Sequence, residues 1–319
     1  MFGNSYFTMR TFTDLVKITF LSLLYVTVIG CSGACSLSPE RLKPTKHNFP
    51  VSSFVQIKSE TLWEGCEQDK ITNMTKCQKA VMKAASSGAF VRHSAVDPSV
   101  SYVITAGHSC KSTKKPDTTI AGVRVRHLGQ RFILLDYDGF KYEGVVSAID
   151  KRFDLCLLTV SNVYAKTPVL KISKKQPDRG EVVYNMSAPH GIVFPRMVLT
   201  FDGYFAGFTP EGFAIYTIPT KPGSSGSPVV NINNELIGII FAGYRSMENI
   251  GVAAPLIAVK VFLRNSITKV EMNNWQKINK GVDRTDITTS KMMNYFHSSL
   301  SEYFDIPAVN SIGEKGVLE

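Results

Sequence analysis

Gly223-Ser224-Ser225-Gly226-Ser227-Pro228 is the stretch from which the rest of the chain is read. A hydroxyl between two glycines sits on a turn tight enough for another backbone to approach closely. A serine hydroxyl is a poor nucleophile until a base takes its proton, and the base acts best when a carboxylate fixes its tautomer. Two upstream segments offer those partners. Thr105-Ala106-Gly107-His108 ends an apolar run in a histidine, and Asp154-Leu155-Cys156-Leu157-Leu158 sets a carboxylate at the start of another. Ser224 and Ser227 are competing hydroxyls, and register against the flanking glycine and proline selects Ser225. The N–H groups of Gly223 and Ser225 can converge on a carbonyl oxygen as it becomes an oxyanion. One such donor contributes about 3 kcal/mol to a transition state.

Outward from these segments the chain is short apolar runs broken by turn residues. Residues 89–92 and 102–105 read as strands joined by Asp97-Pro98-Ser99, and 122–127 alternates with period two. Residues 131–136, 144–149 and 155–160 complete a first group. A second group reads over 181–186, 196–201, 212–216, 227–231, 236–241 and 251–254. Many short strands with no long amphipathic helix between them predict an all-β fold of two antiparallel six-stranded β-barrels. Pro255 opens an apolar-faced run to Arg264 that reads as a closing C-terminal helix. The domain is therefore placed at 85–265, with barrel 1 at about 85–162 and barrel 2 at about 168–255. Residues 31–84 read as a proline-containing tether and an irregular lead-in, with Gln78 to Ala85 as a short helix. Residues 266–319 read as a polar C-terminal extension.

The 319 residues are 44% hydrophobic and 19% charged, enough apolar material for a full core. The formal charge of +10 raises the question of a polyanion partner. Lys114-Lys115 and Lys174-Lys175 are only short pairs, with no basic stretch interleaved with aromatics and no zinc-finger spacing. Nucleic acid is therefore not an expected partner, and a diffuse charge suits solubility or envelope contact. Arg10 and Lys17 precede an apolar run from Ile18 to Gly30. Roughly thirteen such residues are too few to cross a ~30 Å hydrocarbon core but suit a secretory signal over residues 1–30. Val28-Ile29-Gly30-Cys31 resembles the bacterial lipobox, which implies lipidation of Cys31 and membrane attachment. A signal cut near Ala34 and an uncleaved anchor are open alternatives. Each places the domain outside the cytosol, in the cell envelope or periplasm or secreted.

Cysteine usage agrees with export. Cys66 and Cys77 bracket a short polar segment, and Cys110 and Cys156 each lie two residues beyond His108 and Asp154. If those two elements meet, Cys110 and Cys156 come within bridging reach, and an oxidising compartment favours both pairs. No spacing reads as a metal site. The other histidines (His47, His93, His127, His190, His297) lack a comparable context and read as surface or structural.

Val103 to His108, Ala148 to Asp150 with Phe153 to Leu158, and Pro222 to Val230 followed by Leu236 to Ile239 together resemble the trypsin-like serine protease family. The spacing is closer to its bacterial Deg/HtrA and glutamyl-endopeptidase branches than to digestive enzymes. The resemblance covers about residues 85–265. It implies the double barrel and hydrolysis of peptide bonds in a protein or peptide substrate through an acyl-enzyme, with no cofactor. It assigns His108 as base, Asp154 as its orienter, Ser225 as nucleophile, and Gly223 and Ser225 as the oxyanion hole. It places a substrate pocket at Pro219 and Thr220, walled by Phe241 to Gly243. No acidic residue stands at Pro219, so a Lys/Arg preference is not implied, and a small or apolar residue before the scissile bond is expected. Ser224 stands where digestive relatives carry the acidic residue that captures a freed N-terminus, so activation of that kind is not expected. A typical downstream peptide-binding module does not fit in the remaining residues. The alternative reading is a catalytically inactive binding module on the same barrels, or an envelope interaction protein.

Overall fold

Strands rich in β-branched and aromatic residues pair antiparallel throughout the computed structural model, which describes residues 48–68, 74–110, 118–120, 123–163, 167–244 and 246–278. The first group is β1 (Phe54–Gln68), β2 (Thr75–His93), β3 (Val100–Ala106), β4 (Thr118–Ile120), β5 (Val123–Asp136), β6 (Lys141–Asp150) and β7 (Leu155–Ser161). The order β1-β2-β3-β7-β6-β5 closes on itself through a β1–β5 pairing, and β4 adds to β5. The second group is β8 (Val182–Ser187), β9 (Val193–Phe194), β10 (Met197–Phe208), β11 (Ala214–Tyr216), β12 (Pro228–Val230), β13 (Leu236–Tyr244) and β14 (Met247–Pro255). The order β11-β14-β13-β12-β8-β10 closes through β10–β11, and β9 adds to β10. These are the two closed six-stranded barrels expected from the strand pattern. Closure leaves few open edges.

Each barrel has its own core: Ile57, Phe90, Val103 and Leu158 in the first, Val183, Phe205, Tyr216 and Ile240 in the second. A third cluster joins them, with Val91, Tyr102 and Leu157 from barrel 1 against Met186, Val230 and Leu236 from barrel 2. Helix α2 (Leu256–Ile278) seals this junction with Leu256, Val259, Leu263 and Ile267, spaced as one helical face. Each such buried side chain contributes about 1.5–3 kcal/mol relative to exposure.

Three expectations are corrected. The lead-in over 51–84 is not irregular, and 78–85 is not helical, because β1 and the first half of β2 occupy this region as an antiparallel pair from Phe54↔Ala89 to Gln68↔Thr75. Helix-forming residues such as Ala80 and Lys83 yield there to cross-strand pairing, a tertiary override of local propensity. Residues 122–127 and 131–136 are not two strands. From Val123 they form the single strand β5, with a register irregularity opposite Leu62 and Trp63. The helix does not stop at Arg264 but runs to Ile278. Glu271, 2% exposed, holds it to barrel 1 by accepting hydrogen bonds from Ser94 Oγ, Ala95 N–H, Val96 N–H and Tyr102 Oη. The signal segment, Cys31, the tether to residue 47, Lys114-Lys115, Gly122 and residues 279–319 lie outside the described residues. Among the described residues no helix is long and apolar enough to cross a membrane.

Candidate active site

His108 stands in α1 (Gly107–Cys110), one helical turn at the end of β3. Asp154 ends the turn before β7, where Asp150 Oδ1 accepts the N–H groups of Arg152 and Phe153. Asp154 takes a left-handed φ of 52°, which a short polar side chain tolerates. Strands β3 and β7 pair from Val100↔Ser161 to Ala106↔Leu155, so register alone brings the two segments together. The Gly107 N–H donates to Asp154 O at 2.6 Å. A Cβ at Gly107 would lie 2.9 Å from the Asp154 carbonyl carbon and Oδ1, so glycine permits this approach. The Cys110–Cys156 disulfide closes the same junction, and His108 Nδ1 hydrogen-bonds Asp154 Oδ2 at 2.5 Å. Asp154 is 17% exposed and His108 45%, so the carboxylate is sheltered while the imidazole reaches the surface.

The 222–228 loop comes from barrel 2 and is tied to barrel 1 through Ser87. Its N–H donates to Ser225 O at 2.8 Å, and its Oγ donates to Gly223 O at 2.8 Å while accepting from Ala188 N–H at 3.0 Å. Ser87 O accepts from Thr105 Oγ1 at 2.7 Å, three residues before His108. A linked set of hydrogen bonds thus runs from the histidine strand to the serine loop. Gly226 has φ of 85°, and a Cβ there would fall 2.1 Å from Ser87 O and Thr105 Oγ1. The close contact of the two barrels requires glycine at that position.

Backbone donors lie on this loop as well. His190 N–H donates to Pro222 O at 2.6 Å. In a planar trans peptide the carbonyl and the next N–H point oppositely, so this bond turns the Gly223 N–H away from His190. Among the described residues neither the Gly223 N–H nor the Ser225 N–H has an acceptor. Ser224 is 1% exposed beside Ser187 Oγ, and Ser227 is fully buried, accepting from Asn185 Nδ2 at 2.8 Å. Of the three neighbouring hydroxyls, only that of Ser225 belongs to a residue lining the cavity with His108.

That cavity holds about 750 Å³ and is bounded by His108, Ser109, Pro222, Gly223 and Ser225, with further walls from β1, β2 and β5. No hydrogen bond joins the His108 and Ser225 side chains among the described residues. Catalytic hydrogen bonds of this kind commonly tighten only with substrate. The four residues expected to form the substrate pocket do not line this cavity. Thr220 Oγ1 donates to Ile250 O and crowds Gly243, where a Cβ would fall 2.1 Å from it. Phe241 packs edge-on against Phe213 at 5.2 Å, and Pro219 precedes Thr220 on the same segment.

Cys66 and Cys77 are bonded directly across β1 and β2. Glu64 lies beside them, but with both sulfurs in one disulfide no thiolate pair remains for a metal. His93 is structural, bonded to Ser101 Oγ and Thr167 O, and His127 packs against Trp63. Ser87 and His190 were not legible as site residues. Ser87 acts through its position opposite the loop, and the role of His190 is carried by a backbone N–H that any residue but proline supplies.

A family model for the trypsin-like peptidase domain matches residues 86–239. Among solved structures, the chain is similar to a serine endoprotease from Yersinia pestis, at 18% identity and a TM-score of 0.46 over 65% of this chain. It covers 62% of that structure, less than two thirds of its length. Comparison with curated proteins gives no match.

Proposed function

We propose, from the trypsin-like peptidase domain matched over residues 86–239, that the chain is a serine endopeptidase of the trypsin-like family acting on proteins or peptides through an acyl-enzyme. The observation that carries this reading is the His108–Asp154 hydrogen bond beside Ser225 and two unoccupied backbone donors. Ser225 Oγ attacks the scissile carbonyl carbon while its proton passes to His108 Nε2. Asp154 keeps the His108 tautomer with Nε2 free and stabilises the imidazolium that forms. The carbonyl oxygen, now carrying the negative charge, meets the Gly223 and Ser225 N–H groups, each worth about 3 kcal/mol in such a site. The C–N bond then breaks, His108 protonates the leaving amine, and water repeats the sequence on the ester. Side chains and water suffice for every step.

The two disulfides and the N-terminal segment support an exported enzyme, tethered through a lipidated Cys31. Mass spectrometry of the mature N-terminus checks the tether, and an unmodified start beyond Cys31 refutes it. A fluorophosphonate probe tests the activity. Wild-type labelling that is lost in Ser225→Ala is the expected result. No labelling of the folded protein leaves the barrels as a binding module and overturns the enzyme reading.

A further inference from the structure

Strands β1, β2 and β5 continue past the first barrel. β2 pairs with β3 only from Gly88 onward, whereas its pairing with β1 runs back to Thr75, and β1 stays paired with β5 as far as Cys66↔Arg124. The product is a three-stranded ribbon, cross-linked near its tip by Cys66–Cys77. Register sets Ser59 opposite Ala84, Thr61 opposite Met82, and Trp63 opposite Ala80, and on a pleated sheet these pairs share one face. The alternate residues share the other face, where Glu60 pairs with Lys83 and Arg131, and Glu64 with Arg126. One face thus carries the ion pairs of Glu60 and Glu64, while the other presents Trp63, Ala80, Met82 and Ala84 beside the small hydroxyls of Ser59 and Thr61. The apolar face lines the cavity that also holds His108 and Ser225. Met82 is 64% exposed on it.

The side of the scissile bond served by this cavity follows from the chemistry. The leaving amine takes its proton from His108, so the segment it carries lies on the barrel 1 side of Ser225. The ribbon belongs to barrel 1, and no residue of β11, β13 or β14 lines the cavity. We propose that the apolar face of the ribbon is a recognition site for a bulky apolar side chain, such as Phe, Leu or Trp, in the substrate segment released after the bond is cut. The occupant is that segment because the cavity is continuous with the residues that cut it, and an apolar wall with a few polar groups is how such side chains are held. This inference rests on the serine endopeptidase reading above.

The test uses the full exported chain and peptides identical up to the scissile bond. They differ only at the first three positions beyond it, carrying Phe, Leu, Gly or Asp. The expected result is a kcat/KM ratio of Phe over Gly of roughly tenfold to a hundredfold at one of these positions. Ala84→Trp and Ala80→Trp, at exposed positions that need no core repacking, should bring that ratio towards one by filling the cavity. The readout is a ratio within each variant, so it does not depend on absolute activity. A wild type labelled by fluorophosphonate at Ser225 yet indifferent to these residues overturns the recognition site and leaves the peptidase reading standing. So does a full preference retained in both tryptophan variants. A wild type with no labelling overturns both.

Discussion

The loop from Pro222 to Pro228 and the ribbon of β1 and β2 line the same cavity, yet their backbones are held in opposite ways. In the loop, Ser224, Gly226 and Ser227 are buried, Ser87 bonds two carbonyls, and Gly226 N–H donates to Ile240 O at 2.6 Å. In the ribbon every residue from Thr75 to Ala84 is exposed, and the supports are backbone pairing, one disulfide and surface ion pairs. Such ion pairs contribute about 1 kcal/mol or less. Stabilising a developing charge requires donors fixed in advance, whereas enclosing an apolar side chain tolerates adjustment. The difference places stiffness beside the proposed nucleophile and leaves the neighbouring wall free to adapt.

The contrast yields four further tests in descending order of effect. Ser225→Ala should lower peptide hydrolysis by about a millionfold with the fold retained by circular dichroism. A loss a thousand times smaller would mean that Ser224 or Ser227 serves as the nucleophile. Gly226→Ala forces a Cβ into Ser87 and Thr105, and should cost about 3 kcal/mol or more in urea unfolding along with at least hundredfold in kcat/KM. Ser87→Ala strips a donor from Gly223 O and an acceptor from Ala188 N–H. About 1–3 kcal/mol of stability and about tenfold in kcat should be lost with KM little changed. An effect confined to KM would separate Ser87 from loop placement. By contrast, Cys66→Ser with Cys77→Ser should speed amide hydrogen exchange in the ribbon while the rate of fluorophosphonate labelling stays within about twofold. A matching loss of labelling would erase the distinction between the two regions.

The smallest effect concerns pH. A hydrogen bond from Arg131 holds the Glu60 carboxyl below its ordinary value, against a smaller opposing effect of burial. Because the folded value lies below the unfolded one, the contribution of Glu60 to ribbon order is present above the ordinary carboxylate range. It is lost as pH falls through the folded value. Hydrogen-exchange protection in residues 58–68, taken relative to the intrinsic exchange rate at each pH, should therefore fall as pH drops through the folded value of Glu60. Glu60→Gln should abolish that dependence.

What was legible in the sequence was whatever is carried by contiguous residues. Gly107-His108, Asp154-Leu155 and Gly223 to Pro228 each state a local chemistry within a few positions. The cysteines two residues beyond His108 and Asp154 are indeed joined. The ribbon was not legible. Its cavity-facing side mixes Ser59 and Thr61 with Trp63, Ala80, Met82 and Ala84 and carries no clear apolar period, and the other side, with Glu60, Glu64 and Lys83, suggests a solvated segment or a helix. Only pairing between strands shows that these alternate as two faces of one sheet. Glu271 likewise reads as a solvated charge until its four donors from the first barrel are seen.

Residue types in order were enough to predict two barrels and to name His108, Asp154 and Ser225 as candidate groups, because strand periodicity and the needs of an activated hydroxyl are written over short spans. The bond between Ser87 and Gly223, 136 positions apart, was decided only by the tertiary structure. So was the wall that β1, β2 and β5 raise beside Ser225, since strand register between distant segments follows from barrel closure and not from any local run of residues.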